Sequence, residues 1–145
     1  MRSMDPPMRA FLGFLAGALS VLIFHQGVWV LFHLGGLMPP PYPMSPVPPW
    51  SVPLTIDFCF WGGIYGFIYG LLLPRFTMPL WLSGLILGVI ATLVLWFIVA
   101  PIKGRPLASG WVPRTMLVVL IIHAVWGIGV GLILRWVDSR APLRA

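Results

Sequence analysis

The sequence predicts an all-α membrane protein with four transmembrane helices, and three observations lead to this fold class. Apolar residues make up 59% of the 145 residues and charged residues only 8%, whereas a soluble domain has roughly 25% charged residues. The apolar residues fall in four runs, each long enough to cross a hydrocarbon core about 30 Å thick. These runs and their connections use almost the whole chain, which predicts one domain, residues 1–145, without a soluble part.

The four predicted spans are bounded by charged residues, proline or glycine. They run from about Ala10 to Leu34, Leu54 to Leu73, Leu80 to Ala100, and Thr115 to Leu134. A short connection that begins with Pro74 and ends with Pro79 joins the second span to the third. Because proline is costly inside a helix, this connection predicts an antiparallel helical hairpin.

Positive charges predict the orientation, because Lys and Arg are enriched in cytoplasmic loops. One side of the predicted topology holds Arg2, Arg9, Arg75, Arg135, Arg140 and Arg144, and the other holds Lys103, Arg105 and Arg114. Both termini are therefore predicted to be cytoplasmic, in a bacterial inner membrane. The net charge of +6 lies at the ends of apolar runs, which argues against nucleic-acid binding. The first apolar run is too long for a signal peptide and is predicted to be a retained span.

The spans also predict an internal duplication, with one copy over residues 10–75 and the other over residues 80–136. The matching residues are Gly13 and Gly17 with Gly84 and Gly88, Trp50 with Trp111, and Trp61, Gly62 and Gly66 with Trp126, Gly127 and Gly131. The spacing from loop Trp to helix Trp is 11 residues in the first copy and 15 in the second, longer by about one helical turn. Two spans per copy predict a parallel repeat related by an axis along the membrane normal.

Small residues recur at helical spacing in every span, toward the predicted cytoplasmic half. They are Gly13, Gly17, Gly62, Gly66, Gly70, Gly84, Gly88, Gly127 and Gly131. Glycines four residues apart let helix backbones approach closely in lipid. This half is therefore predicted to be tightly packed, and the same glycine faces are also candidates for self-association.

Polar residues are predicted to lie in the other half, where His25, Gln26 and His123 share a depth of about 13 Å. Polar side chains inside lipid usually face the bundle interior. Together with Tyr65 and Tyr69 they form a candidate polar layer. Three interpretations stay open for it: hydrogen bonds between helices, a vestibule for a small solute or proton, and haem held by His25 and His123. No other cofactor and no metal are predicted.

An outer rim is predicted at the outer ends of the helices, with Asp57 in the first turn of the second span. Its members are His33, Asp57, Lys103, Arg105 and Arg114. The rim is expected to form ion pairs around Asp57, with ion or substrate capture as the alternative. Met38 and Met44 lie near His33 but lack the regular spacing that would predict a soft-metal site.

The first outer loop, residues 35–53, contains half of the sixteen prolines and no charged residue. This composition favours stiff, extended backbone over helix. The loop is predicted either to rest over the outer mouth of the bundle or to dock on a neighbour, with Tyr42 and Trp50 as aromatic contacts.

The sequence shows no pattern that predicts catalysis: it offers no nucleophile beside a base, no paired carboxylates and no clustered metal ligands. Cys59 is the single cysteine, which predicts a buried apolar residue and no internal disulfide. The leading prediction is a non-catalytic membrane subunit or interaction protein that binds another membrane protein or a second copy. The alternative is a small transporter or channel with an outward-facing polar vestibule, completed by dimerisation.

Overall fold

A computed structural model describes residues 4–140, and most of these residues lie in four long helices. The helices are α1 (Pro6–Leu34), α2 (Leu54–Arg75), α3 (Leu80–Ile102) and α4 (Pro113–Arg140). Each contains a window with a mean hydropathy of at least 1.5, and the shortest helix has 22 residues, about 33 Å of rise. The prediction of four helices long and apolar enough to span a membrane is confirmed. Arg2 and Arg144 lie outside the described residues.

The helix ends differ from the predicted ends at both termini of the bundle. Helix α1 begins at Pro6, ahead of the predicted Ala10, and α4 continues past the predicted Leu134 to Arg140. An apolar run marks the part of a helix that suits hydrocarbon, whereas backbone hydrogen bonding continues through the polar turns beside it.

Two of the helices contain a π-helical turn, which the sequence pattern did not predict. The π turn of α1 covers Val21–His25, and that of α3 covers Leu95–Val99. Neither segment contains proline or glycine, so composition offers no signal for either turn. π-Helical turns are rare and occur frequently at functional sites.

Glycine contacts hold α1 against α2. A Cβ atom on Gly13 would overlap the carbonyl of Gly66, and one on Gly17 would overlap the carbonyl of Gly62. Gly70 lies in the same way against the backbone of Arg9. The two backbones therefore touch, and no side chain fits between them.

The second pair, α3 and α4, closes by the same kind of contact. A Cβ on Gly84 would overlap the carbonyl of Gly127, and one on Gly88 would overlap the carbonyl of His123. Gly131 lies against the backbone of Leu80. All nine predicted glycines are thus in backbone contact within this chain, so their faces are already covered in the monomer.

Helices α1 and α4 join the two pairs through buried hydrogen bonds. The indole Nε1 of Trp126 donates to the Gly17 carbonyl at 3.0 Å, and the Ser20 hydroxyl donates to the Trp126 carbonyl at 2.6 Å. Beside these bonds, Val130 and Leu134 of α4 are fully buried in the apolar core. The core therefore runs along α4.

Two short strands complete the described elements. β1 (Pro46–Val47) pairs antiparallel with β2 (Val52–Pro53), with Pro46 opposite Pro53 and Val47 opposite Val52. The second half of the first outer loop is thus a small β-hairpin, where the prolines predicted only extended backbone. The second outer connection contains a turn over Leu107–Trp111 with positive φ angles.

Candidate functional site

The two histidines of the predicted polar layer are in contact. The ring centroids of His25 and His123 lie 5.9 Å apart, although one residue is on α1 and the other on α4. His25 is the last residue of the α1 π turn, and its side chain is only 7% exposed. Its imidazole also packs against the rings of Trp29 at 5.9 Å and Phe58 at 5.4 Å. Three helices therefore supply the aromatic surroundings of His25.

A hydrogen bond to Thr92 orients the ring of His123. The Thr92 hydroxyl lies 2.9 Å from the Gly88 carbonyl and 3.1 Å from Nδ1 of His123. A hydroxyl has a single proton, and a carbonyl can only accept, so Thr92 donates to Gly88. With the Thr92 proton on Gly88, Nδ1 of His123 donates to Thr92, and Nε2 is the ring nitrogen left for a further partner.

Helices α1 and α3, which supply His25 and Thr92, also contain buried polar atoms without a hydrogen-bond partner. Among the described residues, Nδ1 of His25, Nε2 of Gln26 and Nε1 of Trp96 make no hydrogen bond. A buried unsatisfied polar group costs roughly 1–3 kcal/mol, and each one calls for an explanation. Trp96 lies in the π turn of α3, one helical turn beyond Thr92. We call these five residues, His25, Gln26, Thr92, Trp96 and His123, the histidine layer.

Gln26 has a second role, because it attaches the first outer loop to α1. Its side chain is fully buried, and its Oε1 accepts a hydrogen bond from the backbone N–H of Tyr42 at 2.8 Å. Nearby, Nε1 of Trp29 donates to the Pro39 carbonyl at 2.9 Å, and the Tyr42 hydroxyl donates to the Leu22 carbonyl at 3.0 Å. The loop is thus bound along α1, beside the histidine layer.

The two tyrosines predicted for this layer lie elsewhere. Tyr65 packs edge-on against Trp126 at 6.2 Å between the two helix pairs. Tyr69 is 2% exposed, and its hydroxyl lies 2.6 Å from the Ser83 hydroxyl, close to the connection between α2 and α3. Tyr69 is one turn further along α2 than Tyr65, and this places it at the opposite end of the bundle from the loop.

The predicted outer rim is dispersed. Asp57 lies in the first turn of α2 as predicted, but it makes no ion pair within residues 4–140. Nδ1 of His33 donates to the Met38 carbonyl at 3.0 Å. Arg114 lines a cavity of about 310 Å³ with Gly36, Leu37, Met38, Thr115 and Val118, whereas Lys103 and Arg105 are exposed.

The most exposed aromatic side chain of the loop is at its tip. Trp50 connects the two strands of the β-hairpin and is 84% exposed. The strand pairing and the Thr55 hydroxyl, which donates to the Pro43 carbonyl at 2.8 Å, hold the base of the hairpin. Trp50 is therefore presented on a fixed backbone.

Several residues of the site were not predicted. Thr92 appears in the sequence only as a lone polar residue in an apolar span, and Trp96 and Phe58 read as ordinary packing residues. The one available signal is spacing, because Gly88, Thr92 and Trp96 are four residues apart and so share one face of a regular helix. Within the described part of the chain no three His, Cys, Asp or Glu side chains cluster as metal ligands, and Cys59 is a free thiol.

Comparison with protein-family models, with curated proteins and with solved structures finds no match. The fold and site define the chain only as a four-helix protein apolar enough for a membrane, with two histidines in contact between helices.

Proposed function

We propose that the chain is an integral membrane protein that crosses a bacterial inner membrane four times, with both termini in the cytoplasm. Large apolar side chains are exposed on every helix, including Phe11 at 56%, Phe60 at 51%, Ile98 at 54% and Leu117 at 58%. Such a surface is costly in water and suits hydrocarbon. The arginines beside the termini and the α2–α3 connection support the orientation.

Within that membrane, we propose that the protein is a non-catalytic subunit or interaction protein whose binding surface is the first outer loop. The observation that carries this proposal is the fixed, exposed Trp50 at the tip of the β-hairpin. Tryptophan is a frequent anchor of protein interfaces. A loop that is already ordered loses little conformational entropy when it binds.

The loop is a better candidate surface than the glycine faces. Every predicted packing glycine contacts backbone of its own chain, so a partner helix would first have to separate α1 from α2 or α3 from α4. The expected partner is therefore the outer face of another membrane protein, which the loop contacts without disturbing the bundle.

A photo-crosslinking amino acid at position 50 tests the loop proposal in native membranes. We expect one discrete protein adduct from Trp50 and only lipid adducts from the matched control at Trp61, which is 51% exposed on the side of α2. Lipid adducts alone from position 50 would overturn the proposal. A dimer of this chain would make the partner a second copy.

A small transporter or channel is the second candidate, and the unpartnered polar atoms of the histidine layer favour it. The cavity beside Arg114 offers space at the loop end of the bundle. Proteoliposomes loaded with a pH indicator test the simplest case, a proton pathway. Proton flux that is lost on His25→Leu would support transport, and the absence of flux in wild type would argue against a proton pathway.

Haem is a weaker interpretation of the same histidines. The imidazole of His25 is packed between the rings of Trp29, Phe58 and His123. A macrocycle has to extend sideways from its axial ligands, so it would displace at least one of these rings. The packing therefore favours a ligand much smaller than haem.

A further inference from the structure

The histidine pair has the spacing of two ligands that share one ion. An imidazole nitrogen binds a metal ion at about 2.0 Å, so two rings on opposite sides of one ion have centroids about 6 Å apart. The centroids of His25 and His123 are 5.9 Å apart. Thr92 is hydrogen-bonded to Nδ1 of His123, so Nε2 is the nitrogen available to bind an ion, and Nδ1 of His25 is buried without a hydrogen bond.

The number of ligands limits which ions could bind. Zinc takes four ligands in structural sites, and calcium or magnesium takes about six oxygens. Residues 4–140 hold no group of three His, Cys, Asp or Glu side chains suited to a metal. Two neutral imidazoles therefore suit an ion that accepts linear coordination by two ligands, which is the preference of the monovalent d¹⁰ ions copper(I) and silver(I).

The surroundings favour a single positive charge. Burial of an ion becomes more costly as its charge rises, and this layer contains no carboxylate to balance a divalent ion. The rings of Trp29 and Phe58 pack against His25, and the faces of aromatic rings attract cations. Thr92 orients His123 from behind, as the outer partners of metal-bound histidines do.

We propose that His25 and His123 form a binding site for one soft monovalent metal ion, copper(I) or silver(I), with Nδ1 of His25 and Nε2 of His123 as its ligands. The site deepens the second candidate function by naming the class of solute, and it is independent of the partner surface at Trp50. Failure of ion binding would leave the crosslinking result at position 50 unaffected, so the two outcomes are distinguishable.

The test is a titration of the full chain in nanodiscs with copper(I), under nitrogen and in competition with a chromophoric chelator. Wild type is expected to bind one equivalent. His25→Leu and His123→Leu should each lower the affinity at least 100-fold, and Thr92→Val should lower it about 10- to 100-fold, because an outer partner of a ligand is lost. His33→Leu is the matched control and should bind as wild type.

Two results of the titration would overturn the site: folded wild type that binds no copper(I), or His33→Leu that loses binding as fully as His25→Leu. Circular dichroism and gel filtration check that each variant is folded. X-ray absorption of copper(I) bound to wild type identifies the ligand atoms directly and needs no variant to fold. Two nitrogen neighbours and no sulfur would support the site, whereas a sulfur neighbour or four ligands would overturn it.

Discussion

The two helix pairs close through the same glycine contacts, yet they differ at one point of the interface. In the first pair Gly17 faces Gly62, whereas in the second pair the corresponding Gly88 faces His123. A contact made by two glycines in one pair therefore involves a histidine in the other. The comparison shows that one interface is used for packing alone, whereas the other also holds His123, which contacts His25.

The contacts of the second pair are shifted by about one helical turn relative to the positions that the sequence matches. By sequence, Gly127 matches Gly62, but by contact it corresponds to Gly66, because Gly13 faces Gly66 and Gly84 faces Gly127. The spacing between loop Trp and helix Trp, longer by four residues in the second copy, is consistent with this shift. The duplication itself stays a prediction, and the contact register is the observation that best supports it.

The shift also separates two tryptophans that the sequence matches. Trp126 is 3% exposed and donates to Gly17, whereas Trp61 is 51% exposed and packs against Phe60 on the outer side of α2. Trp61 therefore does not take the position that Trp126 has in the second pair, because one turn along α2 it is Tyr65 that packs against Trp126.

The largest effect is expected from filling either glycine interface. Gly66→Leu and Gly127→Leu each place a side chain against a backbone carbonyl that cannot move aside. We expect each to destabilise the fold by about 3 kcal/mol or more, measured by unfolding in mixed micelles.

Gly27→Leu is the matched control for these variants, because outside its own helix no atom of residues 4–140 lies within 4 Å of a Cβ at Gly27. Normal stability of Gly66→Leu would contradict the backbone contact in the first pair. A loss of stability in only one of Gly66→Leu and Gly127→Leu would show that the two helix pairs are not packed alike.

A smaller effect is expected from the two tryptophans. Trp126→Phe removes the hydrogen bond to the Gly17 carbonyl and should cost about 1 kcal/mol, whereas Trp61→Phe should change the free energy of unfolding by less than about 0.5 kcal/mol. The same unfolding assay measures both. An equal loss of stability in the two variants would mean that Trp61 and Trp126 have equivalent positions, as the sequence match predicts.

The smallest effect concerns the loop of the first pair. Gln26→Leu removes the acceptor for the Tyr42 N–H, so hydrogen exchange at Tyr42 should become about threefold faster, which corresponds to about 0.6 kcal/mol. The Gly110 amide in the outer connection of the second pair serves as the internal reference. Unchanged exchange at Tyr42 would mean that Gln26 does not hold the loop.

The depth of the two histidines could be predicted from the sequence, but the residues that they contact could not. The depth of His25 and His123 follows from counting residues along two spans, since rise per residue is constant in a helix. Their contact depends on rotation about the helix axes, and the α1 π turn alters that rotation just before Gln26. Asp57 makes no ion pair within residues 4–140, and the sequence could not decide this, because it places the charges at one level without saying on which side of each helix they lie.

By itself the sequence determined the four apolar helices, the short connection at Pro74–Pro79 and the glycine interfaces, because length, hydropathy and residue size act locally. Only the tertiary structure decided that His123 meets His25, that Trp126 is buried while Trp61 is exposed, and that Gln26 binds the loop. These outcomes depend on the register between helices. A shift of one turn leaves every apolar run unchanged but replaces the residues at each contact.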